Sequence, residues 1–217
     1  MVQCSLRRHS GPGPRMSPSR RRRYDYDMSV TEDREIVAAR DLLARYADTY
    51  AVPNDAPIPV DEIAESYLGL LVQTAPLETG VSGMLLLRER EIRVNAAECE
   101  KWPVRRRFTI AHEIGHWELH ADEVTTNFIC RLGDITSDEK QNKKKSPDYL
   151  REREANRFAA ELLMPEERIH ADVDQHGADV AKAAERFDVS PLAMAWRLYN
   201  FKYISKLPRP TDYVGAV

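Results

Sequence analysis

Residues 112–116 read His-Glu-Ile-Gly-His, the pentapeptide with the most chemistry in the chain. On a helix each residue turns about 100°. His112 and His116 therefore fall on one face roughly 40° apart and one turn along, and both imidazoles reach a single Zn2+ at about 2.0–2.1 Å. Glu113 stands one step round from His112, beside the metal rather than on it. From there it takes a proton from a zinc-bound water whose pKa the metal lowers toward about 7. Taken alone, the five residues also suit a pair of ordinary helix-surface histidines. The neighbours weigh against that reading, because Phe108, Ile110, Ala111, Ile114 and Leu119 make the surroundings apolar. Gly115 costs about 1 kcal/mol relative to Ala in a helix interior, which points to an element packed close against it.

An open zinc site needs a third protein ligand. The apolar spacing of Ala155, Phe158, Ala159, Leu162 and Leu163 predicts a helix over 148–164 with a buried stripe, and Glu152 sits at the edge of that stripe. A carboxylate directed toward a core needs a partner, and zinc is the natural one. Glu154 is rotated well away from the stripe and reads as solvated or salt-bridged, the lesser candidate. Asn156, four residues after Glu152 on the same face, can hydrogen-bond the remaining nitrogen of a ligating histidine and fix its tautomer. His120 follows His112 by eight residues, not the ten of the HExxHxxGxxH pattern, so it is a poor ligand. Its candidate roles are substrate orientation, oxyanion stabilisation, or a cap at the helix end. Cys130 reads as an ordinary buried cysteine, with a thiolate metal switch as the lesser reading. His9, His170 and His176 lie in polar sequence and read as solvated.

The elements that must position these groups follow from punctuation and period. Ser29-Val30-Thr31-Glu32 fits a capping box opening a helix to about Tyr50. A connection through Pro53, Pro57 and Pro59 follows, then a short helix over 61–68 ended by Gly69. Leu70 to Val72, Met84 to Leu87 and Ile92 to Val94 read as three strands, the last two a hairpin. Pro103 marks the entry to the histidine-bearing helix, which runs to about His120. A polar loop with Lys140, Lys143, Lys144 and Lys145 leads to the helix over 148–164, stopped by Pro165. An acidic turn near Glu166 precedes helices over 178–187 and 190–201, the second capped by Ser190. That pair has the outline of a helix-turn-helix. The second helix offers Arg197 and Asn200 but is otherwise so apolar that a core-forming hairpin is the better reading.

The 217 residues suffice for one full domain with appendages, and no window approaches the roughly 18 apolar residues of a membrane span. Three cysteines, Cys4, Cys99 and Cys130, are too few and too scattered for a disulfide scaffold, which fits a reducing compartment and a cytoplasmic location. Residues 1–27 carry seven arginines and two acids, leaving 25 basic and 33 acidic side chains elsewhere, a net −8. Such a body repels phosphate backbones, so no strong direct nucleic-acid binding is expected. The arm has no apolar run behind its arginines and reads as a disordered extension rather than a signal peptide.

The run Arg107 to His116, reading RFTIAHEIGH, is followed some 40 residues later by Glu152 to Pro165, reading EREANRFAAELLMP. Together they resemble the ImmA/IrrE family of bacterial and phage zinc metallopeptidases over roughly residues 60–165, with weaker similarity to near Phe201. The resemblance implies an α+β, minimal zincin-like core: a small twisted sheet, the HExxH helix and a glutamate-ligand helix, followed by a C-terminal helical pair. It implies one Zn2+ per chain held by His112, His116 and Glu152, with Glu113 as base. The family's usual task is cleavage of a transcriptional repressor, so the implied partner is a protein substrate and not a membrane. The alternative is a DNA-associated or anti-repressor interaction protein with a structural or vestigial zinc site. The expected organisation is a disordered arm over 1–28, a metallopeptidase domain over 29–165, a helical subdomain over 166–205 and a tail over 206–217. The arginine-rich leader and a long lysine loop depart from the family pattern.

Overall fold

Helical and strand periodicity account for most of what the computed structural model contains. It describes residues 33–50, 52, 57–122, 127–131 and 146–213. The arginine-rich arm, the capping box at 29–32, Pro53 and the lysines of 140–145 lie outside the described residues. The described part falls within a single unit, Glu32–Val217.

Helix α1 (Arg34–Ala47) buries Glu35, Ala39, Leu42 and Tyr46, a stripe at steps of four and three. The short α2 (Val60–Glu62) widens into a π-helical turn at Ile63–Tyr67. Gly69 ends it at φ +66, a conformation that favours glycine. Three strands follow, β1 (Leu71–Ala75), β2 (Val81–Leu86) and β3 (Glu91–Asn95). Next come α3 (Ala96–Lys101) and α4 (Pro103–His120), the latter with proline in its first turn. After β4 (Phe128–Arg131) come α5 (Pro147–Leu163), α6 (Glu166–His176), α7 (Val180–Phe187) and α8 (Pro191–Asn200). Ser146 caps α5 by accepting from the Tyr149 N–H, and Ser190 caps α8 by accepting from that of Ala193. No helix among the described residues is long and apolar enough to cross a membrane.

The fold is α+β, with eight α-helices and a small mixed sheet among the described residues, in keeping with a zincin-like core. The sheet order is β1-β3-β2-β4. β1 runs parallel to β3 from Leu71 opposite Glu91, and β2 is antiparallel to both β3 and β4. Helix α4 packs against the sheet and also against α5, and α1 packs against α5. The core therefore runs through Leu85, Ile92 and Val94 of the sheet, Ile110 and Ile114 of α4, Phe158 and Leu162 of α5, and Leu42 of α1.

Three features depart from the sequence expectation. The sheet has four strands, not three: β4 is only four residues long, and two inward residues, Phe128 and Cys130, make too short an alternation to register as a strand. Asn95 caps an unexpected helix, α3, which buries no residue fully and so carries no apolar stripe. The acidic turn near Glu166 opens a complete helix, α6, whose single buried residue Ile169 leaves no periodic signal.

The C-terminal helices share this core. Ala183, Ala184 and Phe187 of α7 and Met194 and Leu198 of α8 are buried in the same cluster as Leu42 and Phe158. Arg197 points inward. Its Nε donates to the Met164 carbonyl at 2.9 Å, its guanidinium pairs with Glu161 of α5, and it lies over the Phe201 ring. Glu161 is buried and also accepts from Arg40 of α1 at 2.9 Å, so one carboxylate ties three helices together. Removing one partner of a buried pair costs about 3–5 kcal/mol, because the other charge stays buried and uncompensated. Glu161→Ala should lose stability on that scale in denaturant unfolding. The double change Glu161→Leu with Arg197→Met should recover much of it, and an equal loss in both variants would remove the charge explanation.

Candidate metal centre

His112, Glu113 and His116 come from the middle of α4, where sheet and α5 cover the helix from two sides, and all three are fully buried. Two glycines make that enclosure possible. A Cβ at Gly115 would lie 3.2 Å from the Ala155 Cα and 3.1 Å from the Phe158 ring, so α4 and α5 touch backbone to backbone. A Cβ at Gly83 of β2 would lie 2.4 Å from the Thr109 methyl and 3.1 Å from a Glu113 carboxylate oxygen. The sheet thus passes over Glu113 only because position 83 has no side chain.

The close approach of α5 brings Glu152, one turn before Ala155, against both histidines. Its Oε2 is 3.1 Å from His112 Nε2 and its Oε1 is 3.3 Å from His116 Nε2, while the two Nε2 atoms are 3.0 Å apart. On the far side of the first ring, His112 Nδ1 lies 3.0 Å from Asn156 Oδ1. An amide oxygen only accepts, so this bond places a proton on His112 Nδ1 and turns Nε2 toward Glu152 and His116. Burial lowers the His116 pKa to about 4, with the neighbouring His112 and His120 rings adding to this, so that ring is neutral at pH 7. Burial works against the Glu152 charge, but its contacts with His112 and His116 outweigh it and hold the pKa at about 2. Glu152 is therefore an anion.

A half-buried carboxylate set against two imidazole nitrogens is a donor set that suits a divalent cation. The spacing agrees: ligands about 2.0–2.1 Å from a tetrahedral zinc stand roughly 3.3–3.4 Å from one another, close to the 3.0–3.3 Å seen here. The donors His112, His116 and Glu152 all lie within 4.8 Å of one another. Glu113 points to the same conclusion. Both its carboxylate oxygens are buried with no hydrogen-bond partner among the described residues. Burial pushes its pKa well above the usual carboxylate range, with the Glu152 charge adding to the rise. A cation close by would oppose both effects.

The remaining candidates divide. Cys130 is buried on β4 opposite Gly83, and with His112 and Glu113 it forms a second donor group within 4.8 Å. His120 is buried at the end of α4 between His116 and Glu154, with Nδ1 3.3 Å from His116 Nδ1 and Nε2 2.8 Å from Glu154 Oε2. His170 and His176 lie on α6, His170 against Tyr203 and Glu166 and His176 against Asp172, while His9 is outside the described residues. Sequence reasoning missed Phe128, whose ring stacks on His116 at 4.3 Å and 15°. It also missed the bond from Glu154 to His120. Neither carried a local signal, since each depends on how separate elements meet.

Residues 65–199 match the family model Peptidase_M78, the IrrE N-terminal-like domain. No curated protein sequence matches the chain. Among solved structures, a Mycobacterium tuberculosis transcriptional regulator is similar, at 21% identity and a TM-score of 0.53 over 84% of this chain. The chain spans about half the length of that protein, 50%, and at this identity the likeness shows the fold.

The two donor groups share His112 and are separable by mutation. Glu152→Ala should lose stoichiometric zinc in metal analysis of the purified protein, whereas Cys130→Ser should keep it. The opposite pattern would assign the metal to the group containing Cys130.

Proposed function

The chain belongs to the IrrE N-terminal-like family of peptidases, and on that premise we propose that it is a cytoplasmic zinc-dependent endopeptidase acting on a protein substrate. The observation that carries this reading is Glu113: a fully buried carboxylate, without a hydrogen-bond partner among the described residues, beside three groups suited to hold one zinc ion. A structural zinc site is closed by four ligands and has no use for a free carboxylate.

Zinc, when bound, would lower the pKa of a water toward about 7 and polarise the scissile carbonyl. The protein's own residues do the rest. His112, His116 and Glu152 hold the ion and leave a coordination position open. Glu113 accepts a proton at its carboxylate from the attacking water and returns it to the leaving amine as the peptide bond breaks. The clearance at Gly83 lets the carboxylate stay there without a hydrogen bond that would compete for the proton.

The substrate we propose is a helix-turn-helix transcriptional repressor. Two things support it: the resemblance to repressor-cleaving peptidases carried by RFTIAHEIGH and EREANRFAAELLMP, and the likeness in fold to a protein named as a transcriptional regulator. Direct DNA reading by α8 gains no support, because Arg197 is committed to Glu161 and Met164.

Glu113→Gln should separate binding from chemistry. The amide nearly keeps the volume of the carboxylate and leaves the three metal ligands untouched, so fold and zinc content should survive. It accepts no proton, and general-base catalysis contributes about 10²–10⁴-fold in rate. Because the same group serves twice, the loss should sit at the upper end of that range or beyond. The measurement follows cleavage of a repressor encoded beside the gene on a gel, with binding followed separately. If wild type displaces the repressor from DNA without cutting it and the variant does so equally well, the interaction-protein alternative replaces the enzyme.

A further inference from the structure

We propose that Glu154 and His120 are positioning residues that set the tautomer of His116 and thereby strengthen its hold on the metal. The proposal rests on the reading of His116 as a metal ligand. Glu154 Oε2 lies 2.8 Å from His120 Nε2, and His120 Nδ1 lies 3.3 Å from His116 Nδ1. A carboxylate only accepts, so His120 carries its proton on Nε2. In the neutral ring Nδ1 is then an acceptor, and His116 Nδ1 faces it. His116 is thereby protonated on Nδ1, which leaves Nε2 bare and directed at His112 Nε2 and Glu152. Three residues act in series, and the order of their protons is fixed from the carboxylate end.

The surroundings hold the chain in place. His120 is buried, and Phe128 stacks on the His116 ring at 4.3 Å while tilting against the His120 ring at 6.0 Å. Both rings therefore have little freedom to turn away. The arrangement also has a counterpart on the other histidine, where Asn156 Oδ1 accepts from His112 Nδ1 at 3.0 Å. Glu152, Glu154 and Asn156 occupy alternate positions on one stretch of α5. The first faces the metal position, and the other two each fix a proton on one ligating ring. The two fixings differ in kind. Asn156 offers a neutral acceptor directly, whereas the Glu154 carboxylate acts on His116 only through His120. With both ring nitrogens of His120 engaged in this way, neither is left to meet a substrate oxyanion.

Partners of this kind typically contribute 10–100-fold in metal affinity. The test measures zinc affinity of the full-length protein by competition with a chromophoric chelator, independent of any cleavage assay. Glu154→Ala and His120→Phe should each weaken zinc binding by about 10–100-fold. Combining them should add little more, because both changes break the same chain. Glu154→Gln keeps an accepting oxygen and should restore most of the loss. Glu154 is partly exposed, so its variants keep the proposal testable even where His120→Phe disturbs folding. Imidazole 15N spectra of the zinc-loaded wild type should show His120 protonated at Nε2 and His116 at Nδ1, and Glu154→Ala should lose the fixed His120 tautomer. Wild-type affinity in Glu154→Ala, independent addition of the two losses, or His120 protonated at Nδ1 would each overturn the proposal while leaving the zinc reading intact. Failure of the wild type itself to bind zinc would overturn both.

Discussion

Three electron-rich groups, two imidazole nitrogens and one carboxylate, meet within 3.0–3.3 Å in the interior with no positive charge from the described side chains placed among them. Placing an ion in the interior costs several kcal/mol even after relaxation. A half-buried carboxylate beside two buried imidazoles and a second, unpartnered carboxylate favours a cation among them. Binding free energy for a cation is therefore also folding free energy for the site, since the ion binds the folded arrangement and not the open chain. The converging nitrogens of His112 and His116, the anionic Glu152 and the unpartnered oxygens of Glu113 are three expressions of this one electrostatic demand.

Meeting that demand fixes the packing. For Glu152 to reach α4, α5 must approach until the Ala155 backbone lies against Gly115, where a side chain would stand 3.2 Å from Ala155 Cα. On the opposite side of α4, β2 must clear Glu113 without offering it a partner, and Gly83 does so. A hydrogen-bonding side chain there would satisfy the carboxylate and, on the proposed reading, compete for the proton it accepts. The missing hydrogen bond at Glu113 is a cost that the apolar surroundings sharpen and that the well-packed core around it must offset.

How much of this was legible in the sequence follows from the range of each interaction. The relation of His112, Glu113 and His116 is set within two turns of one helix, so spacing alone determined it. The position of Glu152 needed only a second helix with a recognisable stripe. Gly115 signalled a close neighbour because a glycine in a helix interior is otherwise unfavourable, and Ala155 is that neighbour. Glu154 was rotated off the stripe, as helix arithmetic required, yet it meets His120 because the end of α4 extends alongside α5. No periodicity within either helix encodes that meeting. β4 was illegible for a related reason: Phe128 and Cys130 form a strand only by pairing with β2, and four residues carry too little pattern of their own.

The C-terminal helices show how an outline can mislead where inward contacts decide. Two short helices joined through Asp188 in a left-handed conformation have the form of a DNA-reading pair. Their buried residues continue the core, as their apolar composition indicated, and Arg197 is spent on Glu161. Glu161 lies nine residues after Glu152 on α5, about 13.5 Å along the helix axis at 1.5 Å per residue. One helix therefore carries a metal-facing carboxylate near one end and, near the other, a carboxylate clamped by Arg40 and Arg197. A lever held at one end positions the other, and the tolerance at the metal is a fraction of an ångström. Through Arg197, α8 is joined to the same helix that carries Glu152, which ties the C-terminal helices to the element that positions the candidate metal centre.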